Sequence, residues 1–157
     1  MCLVIDTCCL SMVFDGRNRK HQGYVPVLKW INGKGRLVYG GSKYNTELAR
    51  APKFLPYLAE LTRIRHVIRI PSPQVDAIAA ELKVECPDPE FNDEHIVALV
   101  IAARCCVVCT DDNDAIAYLR RSELFAGRDA SRPSIFRGRR SHAKLCCDKN
   151  VVGVCRQ

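Results

Sequence analysis

The sequence predicts an α/β domain built around a mainly parallel sheet. Short apolar segments rich in β-branched residues recur along the chain, and segments with a helical spacing of apolar residues separate them. Helical crossovers are the usual connection between parallel strands. The 157 residues are enough for one hydrophobic core, and we find neither an internal repeat nor an interdomain linker. We therefore expect a single domain over residues 1–157.

Four segments are expected to be strands. Residues 2–5 are continuously apolar, as in a strand that is buried on both faces. Residues 36–39 lie between glycine-containing turns, residues 66–70 end at Pro71, and residues 105–110 are rich in valine and cysteine.

Helices are expected between and after these strands. Residues 25–31 are compatible with either a strand or a helix, and their apolar spacing of three to four favours a helix. Ser42 and Ser72 are expected N-caps. Pro52 and Pro56 predict a break in the helical pattern that follows Ser42. The expected helical segments are 7–14, 25–31, 42–64 with that break, 73–83, a stripe beginning after 93, and 114–119. We expect residues 125–157 to form a basic, less regular C-terminal segment, with Val151, Val152 and Val154 near its end.

Ten cysteines make disulfides and zinc sites the first alternatives to consider. Most of them lie in apolar stretches, where a free thiol behaves as a small hydrophobic side chain. The Cys-x-x-Cys from Cys106 to Cys109 falls in an expected strand, and structural zinc sites usually have two such elements. Residues 2–5 are too short for a signal-peptide core, and no apolar run is long enough to cross a bilayer. We expect buried reduced thiols, a cytoplasmic protein and no membrane partner.

The net charge of +7 is unevenly distributed along the chain. Residues 86–119 carry seven acidic side chains and one basic one, whereas residues 120–144 carry eight basic and two acidic ones. A basic surface beside an acidic pocket suits a polyanion whose phosphates approach a bound cation. The alternative is two oppositely charged surfaces that only keep the protein in solution.

Acidic residues occur where ligands gather in a parallel sheet, at the carboxyl ends of strands and the starts of helices. Carboxylates about 4–5 Å apart repel each other by roughly 1 kcal/mol in water and by about 4 kcal/mol at an effective dielectric constant near 20. Such a cluster has to protonate, move apart or bind a cation. Oxygen ligands favour hard ions, so we expect one or two Mg²⁺ or Mn²⁺ ions. The candidate acids are Asp6, Glu47, Asp93, Asp111 and Asp112.

Segments spanning nearly the whole chain resemble the PIN-domain family of nucleases. They are residues 4–7 (VIDT), 38–48 (VYGGSKYNTEL) and 92–99 (NDEHIVAL), the last of which leads to 107–112 (VVCTDD). The resemblance implies a PIN-like three-layer α/β/α fold around a mainly parallel sheet. It also implies a metal-dependent nuclease whose active site is formed by acids from these segments.

The resemblance assigns metal binding to Asp6, Glu47, Asp93 and a fourth acid. The catalytic candidates are Asp6, Glu47, Asp93, Asp111 and Asp112. The family's threonine-x-acid spacing favours Asp112 as the fourth, Asp111 stays a candidate, and Asp114 is a weaker one. Thr110 is expected to support the ligands with its hydroxyl group.

The same residues have ordinary structural interpretations. Asp93 is well placed as a helix N-cap, a role worth about 1 kcal/mol that is compatible with metal binding. Glu47 alone is typical of a solvated helix residue, and Asp6 of a turn. His95 and His142 have no partner motif, so we expect structural or surface roles for them rather than general-base roles.

The resemblance implies hydrolysis of phosphodiester bonds in single-stranded RNA, with a 3′-hydroxyl left behind. The basic residues expected to hold the RNA backbone are Lys43, Arg137, Arg139, Arg140 and Lys144. Few aromatic residues accompany them, so we expect no recognition of sequence by base stacking. Toxins of bacterial toxin–antitoxin pairs belong to the same family, so an antitoxin-like protein and a homodimer are further expected partners.

Two alternatives remain at this stage. A catalytically silent PIN-fold module that binds RNA or protein would have lost some acids, whereas all four acidic positions are filled here. A Mg²⁺-dependent phosphatase commonly needs a second Asp two residues after the first, but Asp6 is followed by Thr7 and Cys8. The sequence does not distinguish RNA from DNA as the substrate.

Overall fold

The structure, a computed structural model, describes residues 2–147 as an α/β unit with a five-stranded sheet. The strands are β1 (Cys2–Ile5), β2 (Arg36–Gly40), β3 (Val67–Ile70), β4 (Val107–Cys109) and β5 (Ser134–Phe136). They are ordered β3-β2-β1-β4-β5, and each neighbouring pair is parallel. The predicted α/β fold around a parallel sheet is therefore confirmed.

Helices cover both faces of this sheet. Within residues 2–147 they are α1 (Leu10–Phe14), α2 (His21–Asn32), α3 (Ser42–Ala49), α4 (Leu55–Arg63), α5 (Ser72–Glu85), α6 (Glu94–Ala103) and α7 (Asn113–Leu119). Helix α6 packs against β1, β2, β3 and α5, whereas α2 packs against α1 and β2, and α4 against β3. Connections between parallel strands are almost always right-handed. Because the strand order runs one way up to β3 and then returns, the connections before β3 lie on one face of the sheet and those after it on the other. Helices, sheet and helices form the predicted three layers. None of the described helices is both long and apolar enough to span a bilayer.

The centre of the core is formed by β1 and α6. All four residues of β1 are fully buried, which explains the continuous apolar run in the sequence. Helix α6 was expected to have one apolar stripe, but nine of its ten residues are buried because it lies between the sheet and α5. Its N-terminus is thereby fixed next to the carboxyl ends of the central strands.

The two expected serine N-caps are wrong. Ser42 and Ser72 are the first residues of α3 and α5 rather than the residues before them. The Ser42 hydroxyl and backbone N–H both donate to the carboxylate of Asp76 instead, at 2.5 and 2.8 Å. Gly41 occupies the N-cap position with φ of 87°, and a Cβ there would lie 2.8 Å from Val75. The turn into α3 therefore requires glycine.

Strand β5 lies in the segment that was expected to be less regular. It has three residues, of which Ile135 and Phe136 are apolar, and it follows the buried Pro133. So short a strand has no periodicity of its own, and its pairing with β4 is a tertiary effect. The residues Val151, Val152, Val154 and Cys155 lie outside the described part of the chain.

The expectation of buried reduced thiols holds for Cys9, Cys105 and Cys109, whereas the other five free cysteines of the described residues are partly or fully exposed and the expectation is wrong for Cys2. Cys2, at the start of β1, is disulfide-bonded, a pairing that its place in an apolar strand does not reveal. The free cysteines are Cys8, Cys9, Cys86, Cys105, Cys106, Cys109, Cys146 and Cys147.

Candidate active site

The strand order reverses between β1 and β4, and the candidate site begins there. Strand β2 lies on one side of β1 and β4 on the other, with Ile5 opposite Cys109. The Asp6 backbone N–H donates to the Cys109 carbonyl at 2.9 Å, so Asp6 leaves the sheet beside Thr110. In parallel α/β sheets such a switch point opens a crevice in which ligands bind.

Asp6 is a buried carboxylate, 5% exposed, that is held by uncharged donors. The Thr110 hydroxyl donates to its Oδ2 at 2.7 Å, and the Cys8 backbone N–H donates to its Oδ1 at 3.3 Å. Each carboxylate oxygen can accept more than one hydrogen bond or metal bond, so both keep capacity for a ligand. Asp6 is therefore fixed in position without an ion pair among the described residues.

Thr110 links Asp6 to Asp112. Its hydroxyl oxygen accepts the Asp112 backbone N–H at 3.1 Å while donating to Asp6, and its side chain is fully buried. Asp112 caps α7, because its Oδ1 accepts the Asp114 backbone N–H at 2.8 Å. Its Oδ2 has no hydrogen-bond partner within residues 2–147. Thr110 therefore connects two of the candidate acids.

Asp93 occupies the N-cap position of α6, but its side chain makes no capping hydrogen bond. Its φ of −101° and ψ of 23° differ from the extended conformation that aims a capping side chain at the first turn. The interpretation of Asp93 as a side-chain cap is therefore wrong.

The electrostatics of Asp93 show that acids converge at this edge. Burial raises the pKa of Asp93 to about 6, with further increases from the negative charges of Asp6 and Asp112. The positive charges of His95 and Lys43 act in the opposite direction on this pKa. Acids from β1, α6 and the start of α7 thus lie within electrostatic reach of one another.

Glu47 reaches the same region from α3. The Tyr44 hydroxyl donates to the Ile5 carbonyl at 2.6 Å and so ties α3 to the end of β1. Thr7 donates to Glu47 Oε2 at 2.8 Å, and His95 Nε2 lies 3.3 Å from Oε1. Burial alone would raise the pKa of Glu47, but His95, Thr7 and the charge of Lys43 outweigh burial and lower it. Glu47 is consequently held as a carboxylate rather than left as a free surface residue.

Thr7 was not among the site residues expected from sequence, and His95 was expected to have a structural or surface role, yet both contact Glu47. His95 is 3% exposed, and neither ring nitrogen forms a hydrogen bond of good geometry within residues 2–147, although Nε2 is in close contact with Glu47. The available signal was adjacency, because Thr7 follows Asp6 and His95 lies two residues after Asp93. Adjacency alone does not tell which side of the backbone a side chain occupies.

Asp111 is engaged by basic residues instead. Lys20 lies 2.5 Å from its Oδ2, and Arg137 donates to its Oδ1 from two nitrogens at 3.2 and 3.3 Å. The hydrogen bond from Lys20 outweighs burial and, together with Arg137, lowers the pKa of Asp111. Because two basic side chains already balance the charge of Asp111, the geometry favours Asp112 as the fourth acid.

The basic residues expected to hold a nucleic acid fall into two groups. Lys43, in α3, contacts the Asn92 carbonyl and lies 3.3 Å from the buried Glu94, which Lys83 also approaches at 3.2 Å. The second group lies in and beyond the turn after β5, where Arg137 is paired with Asp111. Its other members, Arg139, Arg140 and Lys144, are exposed.

Comparisons with protein-family models, curated proteins and solved structures find no significant match for this chain. The resemblance to PIN domains therefore rests on the motifs alone, and function resides in the side chains of the site.

The donor set suits a hard divalent cation, but its side chains do not form a finished ligand cage. Within residues 2–147, no three His, Cys, Asp or Glu side chains are placed so that they could share an ion. Asp6 is already fixed, whereas in the described part of the chain the Asp93 side chain has no hydrogen bond and Asp112 has one oxygen without a partner. Ion binding therefore needs these acids to come closer together, which mutual repulsion opposes and a divalent charge favours.

Proposed function

We propose that this protein is a metal-dependent ribonuclease that hydrolyses phosphodiester bonds of single-stranded RNA. The observation that carries the proposal is the grouping of Asp6, Asp93 and Asp112 at the switch point of the sheet, where burial, and then the charges of Asp6 and Asp112, raise the pKa of Asp93 to about 6. None of the three forms an ion pair within residues 2–147, although the chain is rich in arginine and lysine. Carboxylates that serve only stability are usually paired or exposed.

The proposed ligands of Mg²⁺ or Mn²⁺ are Asp6, Glu47, Asp93 and Asp112. One or two such ions would polarise the phosphate and supply an activated water. The protein's own part is positioning: Thr110 fixes Asp6, while Thr7 and His95 fix Glu47. The Asp93 side chain has no hydrogen-bond partner within residues 2–147, so it is free to turn towards an ion and to orient the attacking water.

The proposed substrate follows from charge. Lys43 beside the acids and the arginines after β5 provide positive charge for phosphates on either side of the cleaved bond. An antitoxin-like protein partner and a homodimer belong to the same proposal and rest on the motif resemblance alone. A cytoplasmic location is proposed from the free cysteines.

The second candidate function is a catalytically silent module that binds RNA or protein. The absence of a ready three-ligand cage within residues 2–147 is the observation that favours it. Such a module would keep the basic surface and its salt-dependent binding but would lack chemistry.

Incubation of the purified protein with end-labelled single-stranded RNA tests the two functions against each other. We expect cleavage with Mn²⁺ or Mg²⁺, complete inhibition by EDTA, and products that carry a 3′-hydroxyl. Parallel reactions with single-stranded DNA and duplex RNA define the substrate class. RNA that stays intact under every metal condition, while it is bound tightly, would support the silent module instead.

A further inference from the structure

A basic cleft of about 240 Å³ runs along β5, from Pro133 before the strand to the residues that follow it. Its lining contains three arginines, one histidine and two apolar residues, and no acidic residue: Arg120, Arg137, Arg139, His142, Pro133 and Ile135. From sequence, His142 was expected to have a structural or surface role, and Arg120 was not among the residues expected to hold RNA.

The cleft is next to the acidic site. Phe136, at the end of β5, is opposite Cys109 of β4, and the Thr110 backbone N–H donates to the Phe136 carbonyl at 3.2 Å. Neighbouring strands are about 4.8 Å apart, so the residues that follow β4 and β5 emerge side by side. Arg137 connects the cleft to the acidic site directly, because it forms an ion pair with Asp111 at 3.2 Å.

The positive charge of the cleft is only partly balanced. Arg137 is paired with Asp111, whereas Arg120 and Arg139 form no ion pair within residues 2–147 and are exposed. Burial lowers the pKa of His142, and the charges of Arg139, Arg137 and Lys144 lower it further. Like charges gathered in this way repel each other, and a bound anion would relieve that repulsion.

His142 presents a defined donor to the cleft. The Arg137 backbone N–H donates to His142 Nδ1 at 2.9 Å, so the proton of the neutral ring is on Nε2. The imidazole packs edge-on against Phe136, with ring centroids 5.8 Å apart. Its orientation is therefore fixed by a hydrogen bond on one side and by an aromatic contact on the other.

The turn that carries these groups is packed directly on α2. Gly138 has φ of 66°, and a Cβ there would lie 2.5 Å from the Tyr24 ring. A Cβ on Gly23, within α2, would lie 2.4 Å from the Gly138 carbonyl oxygen. Two glycines thus allow a close approach that larger residues would prevent, and the cleft is built before any ligand arrives.

We infer that this cleft is a phosphate-binding subsite, in which Arg120, Arg139 and His142 hold one phosphate group of a nucleic acid whose neighbouring phosphodiester lies at the acids. Guanidinium groups bind phosphate through paired N–H donors, and the His142 Nε2–H adds a third direction of approach. The inference rests on the proposed function for the identity of the substrate. The phosphate belongs either to an internal phosphodiester or to a terminal phosphate monoester.

Binding measured without cleavage tests the subsite. Wild-type protein in EDTA is titrated into a 3′-fluorescein single-stranded RNA, and anisotropy is followed from about 50 to 200 mM KCl. We expect the Arg120→Gln/Arg139→Gln variant to bind about tenfold more weakly and to lose about 0.7 from the slope of log affinity against log salt, the value for one phosphate on a single strand. The matched control is Arg50→Gln/Arg69→Gln, which removes the same charge from exposed positions in the loop after α3 and in β3.

Two further arms identify the source of the phosphate. Inorganic phosphate should compete with RNA for the wild type more strongly than chloride of equal ionic strength, and this difference should vanish in the Arg120→Gln/Arg139→Gln variant. Tighter binding of 5′-phosphorylated than of 5′-hydroxyl RNA assigns the subsite to a terminal phosphate, and equal binding assigns it to an internal one.

The subsite is contradicted if the two double variants lose affinity equally, or if the cleft variant binds like the wild type. A cleft effect without any RNA cleavage by the metal-loaded wild type would overturn the proposed nuclease function but leave the subsite standing. Cleavage by the wild type, combined with no loss of affinity in the cleft variant, would overturn the subsite but leave the proposed nuclease function standing. Thermal melting of each variant verifies that it is folded.

Discussion

Asp6→Asn is expected to reduce Mn²⁺-dependent cleavage of single-stranded RNA by about 1,000-fold or more. The substitution keeps the size of the side chain and an acceptor for the Thr110 hydroxyl, but it removes the negative charge nearest the centre of the site. Loss of about 4 kcal/mol of ion-mediated stabilisation of the transition state corresponds to about this factor. Single-turnover cleavage rates with saturating protein are the measurement, because they separate chemistry from binding.

The matched control is Asp129→Asn. Asp129 is an exposed acid whose side chain is paired with Arg104 at 2.6 Å. It should cleave RNA at the wild-type rate. If Asp6→Asn also cleaves at that rate while its melting temperature is unchanged, the acid at the end of β1 has no part in the chemistry.

Asp93→Asn is expected to stabilise the metal-free protein near neutral pH by about 1–2 kcal/mol, although it should impair cleavage. Because the pKa of Asp93 is raised to about 6 in the folded state, the folded protein holds this proton more tightly than the unfolded chain. Stability from this group is therefore complete below about pH 4 and is lost as the pH rises through about 6. The full shift corresponds to about 3 kcal/mol, and solvent screening of a partly exposed carboxylate reduces it.

Urea unfolding of wild type and variant in EDTA, at about pH 4 and at neutral pH, measures this difference. The variant should gain stability at neutral pH only. Asp129→Asn should show no such gain, because it removes an exposed carboxylate that faces Arg104. Equal destabilisation of Asp93→Asn at both pH values would mean that the Asp93 carboxylate contributes favourable contacts rather than repulsion.

The parallel sheet and the placement of its central acids could be predicted from sequence because both follow from local patterns. Residues 2–5 are apolar throughout since β1 is buried on both faces, and Asp6 marks the point where the chain leaves the sheet. In contrast, β5 has only three residues, and its pairing with β4 depends on contacts distant in sequence. The spacing of apolar residues reveals a strand or helix only when the element is long enough for that spacing to repeat.

Roles within the site were less predictable than positions. Asp111 and Asp112 are neighbours in sequence, yet one is held by Lys20 and Arg137 and the other caps α7 beside Thr110. His95 lies in the site because α6, which carries it, is buried on nearly all sides. These distinctions depend on which side of the backbone each side chain leaves, and a one-dimensional spacing rule does not contain that information.

Equilibrium binding of Mn²⁺, measured from the electron paramagnetic resonance of the free ion at neutral pH, tests the convergence of the acids most directly. We expect the wild type to bind one or two ions, and Asp6→Asn and Asp112→Asn to lose that binding. Asp111→Asn should retain it, because the oxygens of Asp111 are engaged by Lys20 and Arg137. Folded wild-type protein that binds no Mn²⁺, or Asp6→Asn that binds it as well as the wild type, would contradict a metal site at this edge of the sheet.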